Sequence, residues 1–552
     1  MNTRKTRFRR VRLSLYDLVG REFIEAACGA RAGLTGEDKK HLKALAAEKI
    51  DFYPAEQYRR LVEWLPRVGE VCCRPVPLSV PGATSLEFQA HSKPAIAPLT
   101  CLGFYRISED GRLFLISKSE HYHVALGHHF PGFQLLERAR RLGISNATHN
   151  VTRGQITRTL EQELVRVAAG GEPHRGPELL PEAGSRQGAL LDRVLNLETG
   201  SLAMEAAIKM ILARFYRSLP ESPRPKYHGR IPVLVVLGDH KGNLQANYHG
   251  TTMVAQMMRG MWPEMLAGLE KMDLLRVRGV RPNDERELES VLAAGNHGQY
   301  KVAGFFHEFI MMNYGASRLT DSYIRRAYAL CRKYDIPTVA DEIQTCVWSP
   351  EIFMFREYGV RPSIVVVGKG FPGGEYPASR ILFNRTLDTL PLFGALVTNG
   401  QEELASLSYL VTLRWAEANA EVTRAIGDYY EARLRELAER HSGPIASIEG
   451  RRHLAGIYFH DLGTGKRFAR ILNDGGLDIS VQTYKEGCPP CALTKLPLTA
   501  GYEVVDMVIT RFEAALRQID PSAPLTSPRN GRTGRPAVSP RPVPKPAKAN
   551  RS

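Results

Sequence analysis

The sequence predicts an α/β protein with a mostly parallel central sheet flanked by helices. Short apolar runs alternate with stretches of helical spacing between about residues 185 and 400, and the apolar runs are continuous, as in strands buried on both faces. With 552 residues, the chain is also too long for one small core. The predicted strands are Val233–Leu237, Val302–Phe306, Thr338–Ala340 and Ile364–Val367, and the predicted helices are Ala203–Arg217, Ser322–Tyr334 and a long one over residues 402–440.

Composition and pattern divide the chain into five parts. Residues 1–105 are a largely helical N-terminal extension of unknown function, and residues 106–184 are the entry segment of a small domain. The large sheet domain occupies residues 185–400, and residues 401–520 form a C-terminal small domain of α+β type. Residues 521–552 are a basic, Pro-rich tail, which we expect to be disordered.

The net charge of +16 lies mostly at the two ends of the chain. Residues 1–12 hold six Lys or Arg and no acid, and the tail holds seven and no acid. The body is therefore close to neutral, so the charge does not indicate a nucleic-acid partner. We find no apolar run long enough to span a bilayer and no signal sequence. Eight scattered cysteines do not suggest a disulfide scaffold, and we expect a cytoplasmic protein.

One lysine and one aspartate indicate which chemistry the protein performs. Lys369 follows the apolar run that ends at Val367, and Asp341 follows the run that ends at Ala340. Ligands of α/β sheets bind at the carboxyl ends of the strands, so we expect both side chains at one site. A lysine amine can form a Schiff base with the aldehyde of pyridoxal 5′-phosphate, and a carboxylate can keep its pyridine nitrogen protonated. The pair therefore predicts a site for this cofactor.

Two further segments could bind the phosphate group of such a cofactor. Gly200 and Ser201 open a predicted helix, whose backbone N–H groups and dipole favour an anion. Thr398 lies in a Thr-Asn-Gly turn before the long helix, where its hydroxyl could meet a phosphate oxygen. Each segment is a weak signal alone, because any capped helix looks similar.

The cofactor ring has its own candidates. Tyr248 and His249 precede a glycine, and an aromatic side chain at such a position suits stacking on a flat heterocycle. Asp239–His240 is a competing segment nearer to its strand end. Gln344 lies three residues after Asp341 and could reach a hydroxyl on the ring.

In this order the motifs resemble those of the class III (ornithine/GABA-type) aminotransferases of pyridoxal-phosphate fold type I. The resemblance covers about residues 106–520, and Asp341–Pro377 is its specific part. It implies an aminotransferase that acts as a homodimer on a small-molecule amino donor and a keto acceptor. The matching segments are Leu126-Gly-His-His-Phe-Pro, Thr199-Gly-Ser, Tyr248-His-Gly, Asp341-Glu-Ile-Gln-Thr, Gly368-Lys-Gly, Gly373-Gly-Glu-Tyr-Pro and Thr398-Asn-Gly.

The resemblance implies roles around the cofactor ring. Lys369 would form the Schiff base and then act as the general base of transamination. Asp341 would pair with the pyridinium nitrogen, and Gln344 would bond the ring hydroxyl. Tyr248 would stack on the ring, with His249 beside it.

It also implies the phosphate site and the dimer. Gly200 and Ser201 would hold the phosphate, and Thr398 would reach the phosphate of the neighbouring subunit. By the same resemblance, His128 of the cluster His121, His123, His128 and His129 falls in a structural turn of the family. No acids or cysteines nearby complete a ligand set, so we expect no metal.

The chain departs from the family pattern at Cys346–Pro350, Pro362-Ser363 and Glu308-Phe309. The first and third departures are expected near the substrate side of the pocket. Arg380 and Arg452 are candidates for binding a substrate carboxylate. Two alternatives remain open at this point. One is other chemistry of the same cofactor, by an aminomutase, a racemase or epimerase, or a decarboxylase. The other is an inactive scaffold or binding protein.

Overall fold

The computed structural model describes residues 5–77, 82–92, 97–147, 149–171, 191–482 and 487–520. The predicted tail over 521–552 lies outside the described residues, as does the end of the predicted entry segment from 172 to 184. Within the described ranges, no helix is both long enough and apolar enough to cross a membrane.

Between residues 5 and 77, the N-terminal extension contains four α-helices and one pair of short strands. Its buried residues, among them Leu15 and Phe52, belong to the same apolar core as Val504 and Phe512 near the other end of the chain. The extension is therefore continuous with the body of the protein. Its elements are β1 (Arg12–Leu13), α1 (Leu15–Val19), α2 (Arg21–Thr35), α3 (Lys39–Ala47), β2 (Ile50–Asp51) and α4 (Ala55–Glu63), and the two strands pair with each other.

A three-stranded antiparallel sheet and several helices connect the extension to the central sheet. This sheet contacts the C-terminal region through a bridge between Leu115 and Leu477. The elements are α5 (Leu86–His91), β3 (Pro98–Leu102), β4 (Tyr105–Ser108), β5 (Leu113–Leu115), α6 (Ser119–Tyr122), α7 (Gln134–Arg141) and α8 (Gln155–Ala168).

The central sheet contains every strand that the sequence predicts. Its apolar strands are buried on both faces, which explains their continuous hydrophobic character. Its strands are β6 (Arg193–Leu197), β7 (Ile231–Leu237), β8 (Arg276–Val280), β9 (Tyr300–His307), β12 (Thr338–Asp341), β13 (Ile364–Val367) and β14 (Ser379–Phe383), and a separate hairpin is formed by β10 (Ile310–Met311) and β11 (Ser317–Arg318). The helices are α9 (Gly200–Leu212), α10 (Met253–Met257), α11 (Pro263–Lys271), α12 (Glu285–Ala294), α13 (Asp321–Lys333) and α14 (Met354–Glu357).

The strand order is β6-β14-β13-β12-β9-β7-β8. Strands β13, β12, β9, β7 and β8 run parallel to one another, and β14 is antiparallel to both of its neighbours, β13 and β6. The predicted mostly parallel sheet is thus confirmed. Because β12 and β13 are adjacent and parallel, their carboxyl ends bring Asp341 and the segment around Lys369 to the same edge.

The predicted long helix after residue 402 is divided in two at Asn419. The Asn419 side chain donates to the carbonyl of Trp415 (3.1 Å) and accepts from the backbone N–H of Arg9 (2.7 Å), so it forms a junction with the N-terminal extension. The C-terminal elements are α15 (Glu403–Ala418), α16 (Ala420–Arg440), β15 (Ile445–Arg451), β16 (Leu454–Phe459), α17 (Leu462–Asp474), β17 (Ser480–Val481), β18 (Cys491–Lys495) and α18 (Tyr502–Ile519), and the strands form an antiparallel sheet.

The start of the chain is fastened to its last described helix. The Thr6 hydroxyl and the Tyr58 hydroxyl both donate to the Glu503 carboxylate, at 2.7 and 2.5 Å. The Phe8 ring contacts the rings of Tyr58 and Trp415 at 5.4 and 5.7 Å between centroids. These contacts seat the extension against α15 and α18.

Candidate active site

A cavity of about 480 Å³ opens at the carboxyl edge of the central sheet. It is lined by residues from two parallel strands' ends, from the start of α9 and from several loops. The lining residues are His121, His123, Glu198, Thr199, Gly200, Ser201, Tyr248, Gly250, Asp341, Ile343, Gln344, Lys369, Pro372, Gly374, Tyr376, Pro377 and Ala378. Of the eight residues that the sequence analysis assigned to a site, six line this one cavity.

Lys369 lies in a tight turn just after β13. Its backbone has a φ of 40°, a left-handed conformation that is uncommon for a residue with a side chain. A Cβ atom on the next residue, Gly370, would lie 2.4 Å from the Trp348 ring, so the turn requires glycine there. Burial lowers the pKa of the Lys369 amine, and the nearby Asp341 opposes this effect. The turn therefore presents an amine that loses its proton more readily than the amine of an exposed lysine.

Asp341 ends β12 and is 4% exposed. One of its carboxylate oxygens accepts from the backbone N–H of Ile343 (3.1 Å), and the other lies 2.9 Å from Nδ1 of His249. His249 is almost fully buried and does not line the cavity. Its imidazole contacts the Asp341 carboxylate and can orient it, and the place of His249 beside the ring stays a prediction.

The start of α9 forms the opposite end of the cavity. Thr199 caps this helix, and its hydroxyl accepts from the backbone N–H of Leu202. Gly250 has a φ of 106°, and a Cβ atom there would lie 2.8 Å from the Cα of Ser201. Gly200 and Ser201 line the cavity, so the start of α9 lies at the cavity, and the start of a helix favours an anion.

The structure distinguishes the two candidate segments for the ring. Tyr248 lines the cavity, and the guanidinium of Arg259 lies 5.1 Å from its ring centroid. Asp239 instead accepts backbone N–H groups from Lys241 and Asn243, both at 2.8 Å, and its segment does not line the cavity. Tyr248 is therefore the aromatic residue of the two segments that can contact a ligand here.

Gln344 has an unused hydrogen-bonding atom at the cavity. Its Nε2 lies 3.5 Å from a carboxylate oxygen of Glu308, and its buried Oε1 has no hydrogen-bond partner among the described residues. A buried polar atom without a partner is costly, so Oε1 is suited to a hydroxyl group of a bound ligand.

Three other residues that the sequence singled out lie away from the cavity. Arg380 is buried, donates to the Ser406 hydroxyl (3.1 Å) and stacks on Tyr409, and Arg452 forms ion pairs with Glu357 and Asp428. Neither candidate arginine lines the cavity. Thr398 is exposed in a turn and lies outside the lining of this chain's own cavity, so its role across a dimer interface stays a prediction.

The sequence analysis missed the residues on the side of the cavity away from the sheet. His121, His123 and Tyr376 line it there, and the two histidines had been considered only as metal ligands. The His-x-His pattern beside the Leu-Gly-His turn could have indicated the two histidines, but their placement depends on an irregular segment that the sequence does not predict.

Burial lowers the pKa of His121 to about 3, and the charge of Lys369 contributes. His121 is therefore a neutral imidazole at the cavity.

The residues present fit pyridoxal 5′-phosphate. The N–H groups at the start of α9 match its phosphate, and Tyr248 matches its ring. The free Oε1 of Gln344 matches its hydroxyl, while the Asp341 carboxylate and the Lys369 amine match its pyridine nitrogen and its aldehyde. A mostly parallel sheet that carries these groups at its carboxyl edge defines a pyridoxal-phosphate protein of fold type I.

The chain belongs to the class-III aminotransferase family, since the model of that family (Aminotransferase class-III) matches residues 157–516. The cofactor of this family is pyridoxal 5′-phosphate.

Individual relatives agree with the family. An ornithine aminotransferase from Plasmodium chabaudi chabaudi is 30% identical over 243 residues, which are 42% of this chain and 56% of the relative. The chain thus spans little more than half the length of this curated relative.

Solved structures show the same fold. The ornithine aminotransferase of Toxoplasma gondii, which holds PLP at its active site, aligns with a TM-score of 0.59 and 19% identity over 77% of this chain and 92% of its own. An adenosylmethionine-8-amino-7-oxononanoate aminotransferase from Methanocaldococcus jannaschii DSM 2661 aligns with a TM-score of 0.60 and 20% identity, over 84% of this chain and 99% of its own.

Proposed function

We propose that the protein is a pyridoxal-phosphate-dependent aminotransferase, which moves an amino group from an amine or amino acid to a keto acid or aldehyde. The observation that carries this proposal is that the Lys369 amine and the Asp341 carboxylate, from two adjacent strand ends, line one cavity with a helix start at its far end. Its similarity to ornithine aminotransferases supports the same class of reaction.

The residues around the cavity have separate roles in this reaction. When bound, pyridoxal phosphate supplies an aldehyde that captures amines and a ring that accepts electrons. Lys369 provides an amine that can attack a carbonyl and, once released, can accept a proton from the substrate carbon. Asp341, oriented by His249, holds negative charge at the inner end of the cavity, where it keeps a neighbouring nitrogen protonated.

The substrate enters from the side that carries His121 and His123. Both imidazoles are exposed to the cavity, and a neutral imidazole offers one donor and one acceptor to a polar substrate. Tyr376 adds an aromatic surface on the same side. These groups suit a small-molecule amino donor and a keto acceptor that bind in turn.

The proposed active form is a homodimer. Leu392 and Phe393 are 62% and 84% exposed, and they lie just before the exposed Thr398 in sequence. Apolar side chains that stand out this far favour a protein partner, and a second copy would place Thr398 near a cavity. All eight cysteines are free thiols, which supports the proposed cytoplasmic location.

The decisive experiment is the visible absorbance spectrum of the protein after incubation with pyridoxal phosphate. We expect a visible band that Lys369→Ala abolishes, that an amino donor bleaches and that a keto acid restores. The matched control is Lys301→Met, which removes another buried amine, one that bonds Asn296 and lies away from the cavity. We expect this variant to keep the band.

Other outcomes point elsewhere. A band that no amine bleaches would favour an aminomutase, a racemase or a decarboxylase over an aminotransferase. The absence of a band in the wild-type protein would contradict the enzyme and favour a scaffold or binding protein. A band that survives in Lys369→Ala would refute the assignment of this lysine.

A further inference from the structure

A second lysine lies behind the cavity, and the proposed reaction does not use it. Lys495 is the last residue of β18, and it is completely buried. Among the residues that the structure describes, no carboxylate forms an ion pair with its amine. A buried charge without a countercharge is costly, so burial favours the neutral amine, which can still donate hydrogen bonds.

The Lys495 amine contacts the segment that carries the cofactor groups. It donates to the backbone carbonyl of Gln344, and it lies 3.5 Å from the centroid of the Trp348 ring. It also lies 4.9 Å from the centroid of the Tyr122 ring, and the Lys369 amine lies 5.5 Å from the same centroid. Both amines therefore share one aromatic neighbour.

Two hydrogen bonds hold the residues that follow Gln344, one to the lysine turn and one to the residue after Lys495. The Cys346 thiol donates to the carbonyl of Gly368 (3.5 Å), directly before the reactive lysine, and the Trp348 indole N–H donates to the carbonyl of Leu496 (3.0 Å). These residues belong to Cys346–Pro350, where the chain departs from the family pattern. The departure therefore creates the surface on which Lys495 lies.

The backbone of Lys495 is itself fixed. Its N–H donates to the carbonyl of Ser117 (2.8 Å), and its carbonyl accepts from the Ser119 hydroxyl (2.6 Å). Since main chain and side chain are both held, the position of the amine is rigid relative to the sheet.

We propose that Lys495 is a positioning residue of the cofactor site: its amine holds the Gln344 carbonyl and the Trp348 ring, and so fixes the Asp341–Gln344 segment beside Lys369. The inference rests on the proposed function, because it concerns a site for pyridoxal phosphate. It adds a residue from the C-terminal sheet to a site that is otherwise built at the edge of the central sheet and in the loops around it.

Electrostatics are consistent with a role as a hydrogen-bond donor. Burial lowers the pKa of Lys495 well below its usual range, and the charge of Lys369 lowers it further. The groups that act on the two amines are Asp341 and Glu308 near Lys369, Cys346 near both, and His121, which both amines influence. Lys495 therefore acts on the segment through its hydrogen bond and its ring contact, and not through a positive charge.

The experiment compares the full-length wild type with Lys495→Met, Lys495→Gln and the control Lys301→Met. Pyridoxal phosphate is titrated into each protein, and visible absorbance gives the dissociation constant. Lys495→Met removes the hydrogen bond, whereas Lys495→Gln keeps a donor for the Gln344 carbonyl.

For Lys495→Met we expect at least about 10-fold weaker cofactor binding, the scale on which groups that orient a ligand site act. Lys495→Gln should recover most of the affinity, and Lys301→Met should bind the cofactor as the wild type does.

Wild-type affinity in Lys495→Met would overturn the inference while leaving the proposed function intact. If Lys495→Met does not fold, the affinity of Lys495→Gln decides, and a loss of about 10-fold or more in this variant, which keeps the donor, overturns the inference. Equal loss of affinity in Lys301→Met would also overturn it, since the effect would then belong to any buried lysine. A wild-type protein without a band would refute both proposals.

Discussion

The two sides of the cavity are built in different ways. The side against the sheet consists of strand ends and a helix start, and its groups are placed by regular backbone hydrogen bonding. The opposite side includes the segment Ser119–His123, in which Ser119, Glu120 and Tyr122 have φ values of 48°, 55° and 68°. Left-handed conformations at three residues with side chains cost energy, and the surrounding structure has to impose them.

Buried polar contacts impose this conformation. The Glu120 carboxylate lies 2.5 Å from the Arg106 guanidinium and 2.9 Å from the His128 imidazole, and Arg106 also bonds Asp478. In the proposed function, the cofactor is bound mainly by groups at the sheet edge. The substrate then meets a strained segment, whose conformation the chain has to stabilise by separate contacts.

The largest expected effect on the sheet side comes from Asp341→Asn. Loss of the negative charge should reduce turnover by about 10²- to 10³-fold, as for other single electrostatic groups in active sites. Steady-state rates with saturating cofactor measure it. Asp239→Asn is a matched control, because Asp239 also follows a strand end but bonds its own loop. Similar losses in both variants would contradict the special role of Asp341.

His249→Phe tests whether orientation of that carboxylate matters. The change removes the 2.9 Å contact to Asp341 and should lower turnover by about 10-fold, the lower end for residues that orient a reactive group. His240→Phe, in the exposed competing segment, should leave turnover unchanged. Unaltered kinetics in His249→Phe would show that the carboxylate holds its position without the imidazole.

Gly370→Ala should lower stability more than it alters chemistry. The new Cβ atom would lie 2.4 Å from the Trp348 ring, and such overpacking costs about 1 to 3 kcal/mol. Denaturant unfolding measures the change in free energy. Gly268→Ala, within α11 and with open space around it, should be neutral or stabilising by up to about 1 kcal/mol. Equal stability of the two variants would refute the tight packing of the lysine turn.

The smallest effect is expected on the strained side, from His121→Asn. Since the pKa of His121 is lowered to about 3, its imidazole is neutral at pH 5 and at pH 8 alike. The substitution should therefore alter KM by a few-fold and leave the shape of the pH–rate profile between these values unchanged. An inflection near pH 6.5 in the wild type that His121→Asn removes would show that the imidazole titrates during catalysis.

The difference between the two sides of the cavity also explains which site residues could be predicted from the sequence. The strands and the pair Lys369 and Asp341 were predictable, because adjacency of buried parallel strands places their ends together. Arg380 was not, since its position in β14 directs the guanidinium to Tyr409 and Ser406. A residue number alone does not give the face of the sheet on which a side chain lies.

Residues on the strained side and behind the cavity could not be predicted from the sequence, for another reason. His123 reaches the cavity only because neighbouring residues adopt left-handed conformations, which no local pattern of residues with side chains indicates. Lys495 lies 126 residues after Lys369, and only the packing of the C-terminal sheet brings the two amines near the same ring. Contacts of this kind are set by tertiary structure.

The bond between Thr6 and Glu503 joins groups 497 residues apart. During synthesis, the Thr6 hydroxyl therefore has no such partner until Glu503 has been made. Domains usually begin folding from the N-terminal end as they emerge. Here Thr6 and Tyr58 can bond the Glu503 carboxylate only after α18 has been made, so a nascent chain stopped before α18 would leave both hydroxyls without this partner.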